Sequence, residues 1–517
     1  MTARRMAWPT ALVAVIAMGL VLRGALVYDA AQLLLHDARY AAPIDWGGLL
    51  TTSYWPTGLW RPITSTLLGA QAALGGPSHP IIFHLTSLFL YVAVSVMLVR
   101  LLFAWSGNAA ASAVAGSLFA AHPVHVEVVA SVVGQAELLA ALGLMGGAWV
   151  WHRAARDGVT RGTIPLLLGA QCLAALSKEQ GFVLPALLVG QHLLLPQRLP
   201  RRDAIRIGTP LVLLVIMLLL IRTVVTGSVG GETPLPFLAS LGVVGRVVTA
   251  FGVVPDFVRL LVWPLHLQGE YGPPELMVGL PFTLHHLVGL VLVLVGAIGF
   301  VKWRKTVPLA AFGIWWIVVT WLPTSSLILP AGVMLAERLL FLPSIGAAMV
   351  VAGLGATLPV PLRRPAVLAM LLLTAAFTIR SVVRVPVWRT PARFFTTLTT
   401  DAPDVYRAWY VSGVDAQSRG DSVGAERLFR HSLSIWDSSP VVHEALGQLL
   451  RREGRCTEAV PIMTEGLVVE PSRTQLRAKL GECLLQVGDS TRAAAVARDG
   501  IAIGQEEFTG LLERAGR

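Results

Sequence analysis

Charge is the scarcest property of this sequence. Only 14% of its residues are Asp, Glu, Lys or Arg, against 55% that are hydrophobic. Soluble globular domains carry about 25% charged residues, so a soluble enzyme is excluded as the default and an integral membrane protein is implied. Cysteine is scarce too. Cys172 lies in an apolar run and Cys456 and Cys483 lie near the C-terminal end, too few for a disulfide scaffold, and the sequence does not say whether the last two pair. Of the two signs, acid is the rarer: 30 acidic residues face 41 Lys and Arg, for a formal net charge of +11. No nucleic-acid partner is needed to explain it, because the basic residues gather in turns such as "QRLPRRDAIR" and "KWRK", as expected for cytoplasmic ends of membrane helices. The run "WPTALVAVIAMGLVLRGALV", after Arg4 and Arg5, has no small-residue cleavage site before Tyr28, so it is expected to stay as a span.

Apolar runs of spanning length fall near 9–27, 82–104, 106–121, 136–152, 164–177, 181–195, 208–226, 284–301, 307–322, 338–358 and 365–383, about eleven expected spans. The stretch from Val243 to Leu267 is apolar but interrupted by Arg246, Pro255, Asp256, Arg259 and Pro264. If it crossed, Lys302 to Lys305 would lie outside. It is therefore expected as an interfacial or re-entrant helix, with the N-terminus inside and the C-terminal region outside. Arg380, Arg384, Arg389 and Arg393 run against this scheme, since they follow the last span on the outer side.

From about Asp401 no run is long enough to span, and a period appears. Gly413, Gly447 and Gly481 are 34 residues apart, as are Gly420, Gly454 and Gly488, and Ala425, Ala459 and Ala493. This is the signature of tetratricopeptide repeats, with small residues where paired helices approach. Trp409, Phe429, Leu446 and Leu480 are expected to fill the packing positions, with Pro471 closing the second repeat. Such arrays are normally interaction surfaces. The predicted fold class is all-α: a polytopic transmembrane helical bundle over 1–395, with a long outer loop over 28–80, then a tetratricopeptide solenoid of about three repeats over 401–505.

Four outer loops carry more chemistry than connection requires. The loop 28–80 places Asp29 at the mouth of the first span, where a carboxylate serves as a base or simply ends a helix. Its Tyr54, Trp55 and Trp60 fit a membrane-interface belt or a sugar-stacking platform. The second loop, "AAHPVHVEVVASVVGQAELLA", holds His122, His125, Glu127 and Glu137. The histidines are three apart around a proline, without a third His or a Cys nearby, so zinc spacing is not met. Carboxylates in membrane helices are costly and usually functional. In "LSKEQG", Lys178 and Glu179 either pair with each other or leave Lys178 for a phosphate. In "LPTSSLILPAGVMLAERLLFLPSIG", Glu337 and Arg338 open a span, where an arginine snorkels or holds a lipid phosphate in its fork.

The order of these motifs, "LFAAHPVHVEVVASVVGQAELLA", "LSKEQG", "LPTSSLILPAGVMLAERLLFLPSIG" and then tetratricopeptide repeats, resembles the transmembrane and tetratricopeptide repeat-containing protein family. That resemblance implies a C-type (GT-C) glycosyltransferase, acting as a protein O-mannosyltransferase with a lipid phosphate sugar donor and its repeats on the lumenal side. The family's acidic pair after the first span falls on Asp29 and Ala30, so the second acid is missing; Asp37 is out of register but could replace it in space. His122, His125, Glu127, Glu137, Lys178, Glu179, Glu337, Arg338 and Arg61 of "WRPIT" match its other motifs. By this reading Asp29 and Glu137 are catalytic. Arg61, His122, His125, Lys178, Glu179, Glu337 and Arg338 bind donor phosphate or substrate, no metal ligand set is named, and dependence on a divalent metal is left open. The expected partners are a membrane lipid donor and a polypeptide acceptor. A composition rich in Arg, Ala and Gly suggests a bacterial inner membrane with the repeats in the periplasm. A non-catalytic anchor presenting the repeats is the alternative, and a lipid transporter lacks the internal repeats and deep polar groups it would need.

Overall fold

The computed structural model describes residues 3–55, 58–227, 241–276, 279, 281–327 and 333–516, without the side chains of 3–6. Residues 56–57 of "SYWPTGLWRPIT" and 328–332 of the Glu337 motif lie outside the described residues. The chain forms two compact units, Met1–Leu267 with Val278–Phe394, and Gln268–Met277 with Phe395–Arg517. Among the described residues all regular elements are helical.

Among the described residues of the first unit, six helices are long and apolar enough to cross a membrane: Ile81–Ser106, Val132–Asp157, Arg201–Thr226, Leu284–Thr306, Glu337–Ala356 and Val360–Arg389. Ala109–Ala121 and Pro123–Ala130 make a seventh if they are one span, bent by 50°. Ala7–Arg23, Thr163–Ala175 and Pro308–Thr324 are shorter apolar helices, which is why fewer helices reach full length than the apolar runs suggest. Burial sorts these helices: 83% of the apolar window of Val132–Asp157 is buried, against 11% for Leu284–Thr306. The former is central and carries Glu137; the latter presents its apolar surface outward, as lipid contact requires.

The bend between the two halves of the seventh span is set locally. Asn108 caps the first helix, its Oδ1 accepting from Ala111 N–H at 3.0 Å. Pro123 cannot continue that helix, so the chain turns at His122 and restarts at Val126. Gly134 then passes so close to Val128 that a Cβ would lie 2.1 Å from the Val128 carbonyl oxygen. Only glycine allows this fold-back, which brings Glu127 and Glu137 into one neighbourhood.

The second unit is the tetratricopeptide solenoid. A Cβ on Gly413, Gly447 or Gly481 would lie 2.6 Å from Phe429, 2.5 Å from Met463 or 2.3 Å from Leu511, so each glycine marks a close helix–helix approach. Gly420, Gly454 and Gly488 have φ of +83°, +77° and +81°, the left-handed turn that ends each first helix. Phe429, Leu446 and Leu480 are core residues as expected. Trp409 is not: it is half-buried, stacks edge-on against His431 at 4.1 Å and donates to the Pro403 carbonyl, while Tyr406 supplies the buried ring. Cys456 and Cys483 form a disulfide across neighbouring repeats, with their Cα atoms 5.1 Å apart. Reducing it is expected to lower the unfolding free energy of this unit by about 3 kcal/mol, read as an earlier melt of the full chain with reductant.

Ion pairs tie successive repeats. Glu426 receives Arg455 of the next repeat at 2.7 Å beside Arg430 of its own helix at 2.6 Å, and Glu444 receives Arg473 at 2.6 Å and Lys479 at 2.5 Å. Hydrogen bonds from Arg455 chiefly, then Arg430, hold the Glu426 carboxyl down to about 2. A depressed acid contributes stability that is full above its ordinary value near 4.5 and lost as pH falls through the folded value. Melts of the full chain should therefore fall between about pH 4.5 and 2, and Glu426→Gln should flatten that part of the profile.

Candidate functional site

Asp29 begins the helix Asp29–His36, directly after Tyr28, a bulky residue with φ +57°. That strained conformation is held by stacking of the Tyr28 ring on Phe394 at 5.3 Å, and it sets the angle at which the chain leaves the first membrane helix. The Asp29 side chain keeps 24% of its surface exposed and meets Arg338 Nη1 at 3.3 Å. Below it Glu127, with 3% exposed, grips Arg338 twice: its Oε1 accepts from Nη1 at 2.7 Å and its Oε2 from the Arg338 backbone N–H at 2.8 Å. Arg338 is thereby fixed in place. Its Nε and Nη2 donors have no protein partner among the described residues.

Two further pairs lie in the same electrostatic neighbourhood. Lys178 donates to Glu137, both deeply buried, and Arg61 donates Nε and Nη2 to Glu179 in a fork, the shortest contact 2.7 Å. The turn carrying Lys178 is tied to the start of the helix Pro62–Gly75, since Thr64 Oγ1 donates to the Ser177 carbonyl at 2.9 Å and Ile63 N–H to the Leu176 carbonyl at 3.1 Å. Arg61 also lies over the buried Tyr54 ring at 5.2 Å. Burial pushes the Lys178 ammonium below its usual range, against the pull of Glu137. Burial alone would raise Glu179, but the Arg61 guanidinium outweighs it and holds the carboxyl below the usual range.

The structure places the sequence candidates unevenly. Asp29, Glu127, Glu137, Lys178, Arg338, Arg61 and Glu179 form one cluster of interacting charges. Lys178 and Glu179 do not pair with each other but with Glu137 and Arg61. His122 and His125 are both engaged by the protein itself, as structural donors would be. His122 Nε2 meets the Leu261 carbonyl at 3.0 Å and its Nδ1 accepts from Val124 N–H, while His125 lies between Tyr91 Oη at 3.0 Å and Ser344 Oγ at 2.9 Å. Every ring nitrogen is taken up by the protein. Glu337 is 1% exposed and sits 4.0 Å from Arg384, a pair that accounts for one of the arginines after the last span. Tyr54 and Trp60 are core residues, Trp60 donating to the Leu50 carbonyl, and neither forms an interface belt or a sugar platform. Ala30 is buried with Leu33 and Leu34 in the core, and Asp37 is engaged by Arg39 at 2.5 Å.

One residue was missed by sequence reasoning. Arg222, in the last turns of Arg201–Thr226, is 6% exposed, its Nε has no hydrogen-bond partner among the described residues, and its charge acts on Glu179. The available signal was a lone arginine inside an apolar run, close enough to the helix end to pass for snorkelling. Among the described residues no group of three His, Cys, Asp or Glu is placed to hold a metal ion.

The chain is 25% identical over 473 residues to protein O-mannosyl-transferase TMTC4 of Homo sapiens, covering 78% of this chain and 63% of that one. It resembles the transmembrane and tetratricopeptide repeat-containing family. Its similarity to TMTC4 of Mus musculus is 24% over 474 residues, and to Tmtc2 of Drosophila melanogaster 33% over 122 residues, or 22% of this chain and 13% of that one. The chain spans 63% of the length of the two TMTC4 relatives. No family model matches it. Together with the apolar helices, these similarities make it an integral membrane protein.

Proposed function

We propose that the chain is a membrane glycosyltransferase that moves a sugar from a polyprenyl phosphate to a Ser or Thr hydroxyl of a polypeptide. The observation that carries this reading is the chain of contacts Asp29–Arg338–Glu127: a partly exposed carboxylate beside a guanidinium that Glu127 clamps, with two donors unpartnered among the described residues. Asp29 takes the proton of the acceptor hydroxyl as its oxygen bonds to the anomeric carbon. The bond from that carbon to phosphate oxygen breaks, its electron pair leaves on the phosphate, and the configuration inverts. Phosphate is already a good leaving group, so a cation serves where a strong acid would otherwise be needed. Arg338, Lys178 and Arg222 supply that charge. Glu137 and Glu179 hold Lys178 and Arg61 in place, and His122 and His125 hold the turn that carries Glu127.

The site faces the outer side of the membrane, which in a bacterial cell is the periplasm. Support comes from the charge of the opposite turns and from the disulfide, since such bonds persist in oxidising compartments. The segment Gln268–Met277 belongs to the same compact unit as the repeats, with Glu270 accepting from Arg407 at 2.9 Å, so the loop and the repeats share a side. The repeats present the polypeptide acceptor. Arg222→Gln tests the donor side: the half-saturating concentration of polyprenyl phosphate sugar should rise about tenfold with the acceptor dependence unchanged, the loss of one charge-assisted hydrogen bond. A change confined to the acceptor dependence would contradict it.

A further inference from the structure

The four arginines after the last span run against the charge rule, and the fold accounts for two of them. Arg384 meets Glu337, and Arg380 donates to the Leu265 carbonyl at 2.9 Å. Arg389 has a different surrounding. With Arg23, at the end of the first membrane helix, it lines a cavity of about 120 Å³, several times the space one water needs. Both arginines are exposed, and neither has a carboxylate partner among the described residues. The deeper wall holds His84 and Trp388, each buried, and the Trp388 indole N–H and His84 Nδ1 have no hydrogen-bond partner among the described residues. Such orphaned polar atoms are expensive in an otherwise apolar wall. The cavity is braced by Ala25 N–H donating to the Arg389 carbonyl at 3.0 Å and by His84 Nε2 meeting the Ala25 carbonyl at 3.3 Å.

We propose that this cavity binds a phosphate group, carried on a lipid headgroup or free in solution. Two guanidinium forks at the mouth match phosphate oxygens. The Trp388 indole N–H, unpartnered among the described residues, is a further donor in the wall. The remaining wall, including Val21 and Val385, is apolar and suits the first carbons of a lipid. None of the lining residues belongs to the Asp29–Arg338 cluster, although Ala130 ends the helix that carries Glu127. The site therefore stands whether or not the glycosyltransferase reading does.

The test is native mass spectrometry of the purified full chain titrated with phosphatidylglycerol, with inorganic phosphate, and with diacylglycerol, for the wild type, Arg23→Gln/Arg389→Gln and Arg23→Lys/Arg389→Lys. The expected result is one saturable adduct with phosphatidylglycerol, about 100-fold weaker in the double glutamine variant and largely restored by lysine, as two lost charge-assisted contacts imply. Displacement of the lipid by inorganic phosphate would identify the free anion as sufficient, and its absence the headgroup. Equal affinity of the wild type and the glutamine variant for both phosphate probes, or equal binding of diacylglycerol, would overturn the proposal. Both arginines are exposed, so the variants are expected to melt with the wild type, which a thermal scan checks.

Discussion

Asp29→Asn is expected to lower sugar transfer about 1000-fold while the chain still inserts and folds. General-base catalysis contributes roughly 10²–10⁴-fold, and asparagine keeps the size of the side chain but cannot take the proton. The variant also weakens the contact with Arg338 at 3.3 Å, but that pair is partly exposed and contributes at most about 1 kcal/mol, so stability should barely move. Glu127 continues to hold Arg338 from below, so donor binding should persist. The measurement is transfer at saturating donor beside a thermal melt of the same membranes. Unchanged transfer would remove Asp29 from the mechanism, and a collapsed melt would reassign it to folding.

Glu137→Ala should have the largest effect on stability. Glu137 and Lys178 are buried together in the central helix and the turn beside it, and removing one partner leaves the other charge uncompensated, at a cost of about 3–5 kcal/mol. Such a loss is a large part of a normal stability margin, so the single variant should accumulate poorly. Glu137→Leu with Lys178→Met replaces the pair by apolar groups of similar size and should recover most of the abundance and melting temperature. Transfer should stay absent, because the phosphate would lose its Lys178 contact. If the double variant recovers transfer with stability, the pair is structural only.

What could be read from the sequence divides along a physical line. The repeats were legible because every glycine in the period has a steric reason: close approach at Gly413, Gly447 and Gly481, and left-handed turns at Gly420, Gly454 and Gly488. The order of the polar loops was legible as well, since carboxylates in apolar sequence stand out. The pairing was not. Glu137 and Lys178 are 41 residues apart, Arg61 and Glu179 are 118 apart, and Glu127 and Arg338 are 211 apart. Local reading therefore leaves Lys178 between its neighbour and a phosphate, and nothing in "HPVHVE" reveals that Tyr91 and Ser344 wait on other helices for the His125 ring. Arg222 stayed hidden for the same reason: whether a terminal arginine snorkels or turns inward is decided by packing. The number of crossings was not legible either, because several apolar runs form short or bent helices such as Thr163–Ala175 and Ala109–Ala121, which composition alone cannot tell from full crossings.

The most direct measurement is transfer of radiolabelled sugar from a polyprenyl phosphate donor to polypeptide in membranes containing the full chain, with Asp29→Asn beside it. The account predicts label in the protein fraction, released by mild alkali as expected of a sugar on Ser or Thr, and reduced to background in the variant. No labelled polypeptide from any of several polyprenyl phosphate sugars, with the chain inserted and folded, would contradict it and leave a membrane-anchored tetratricopeptide scaffold.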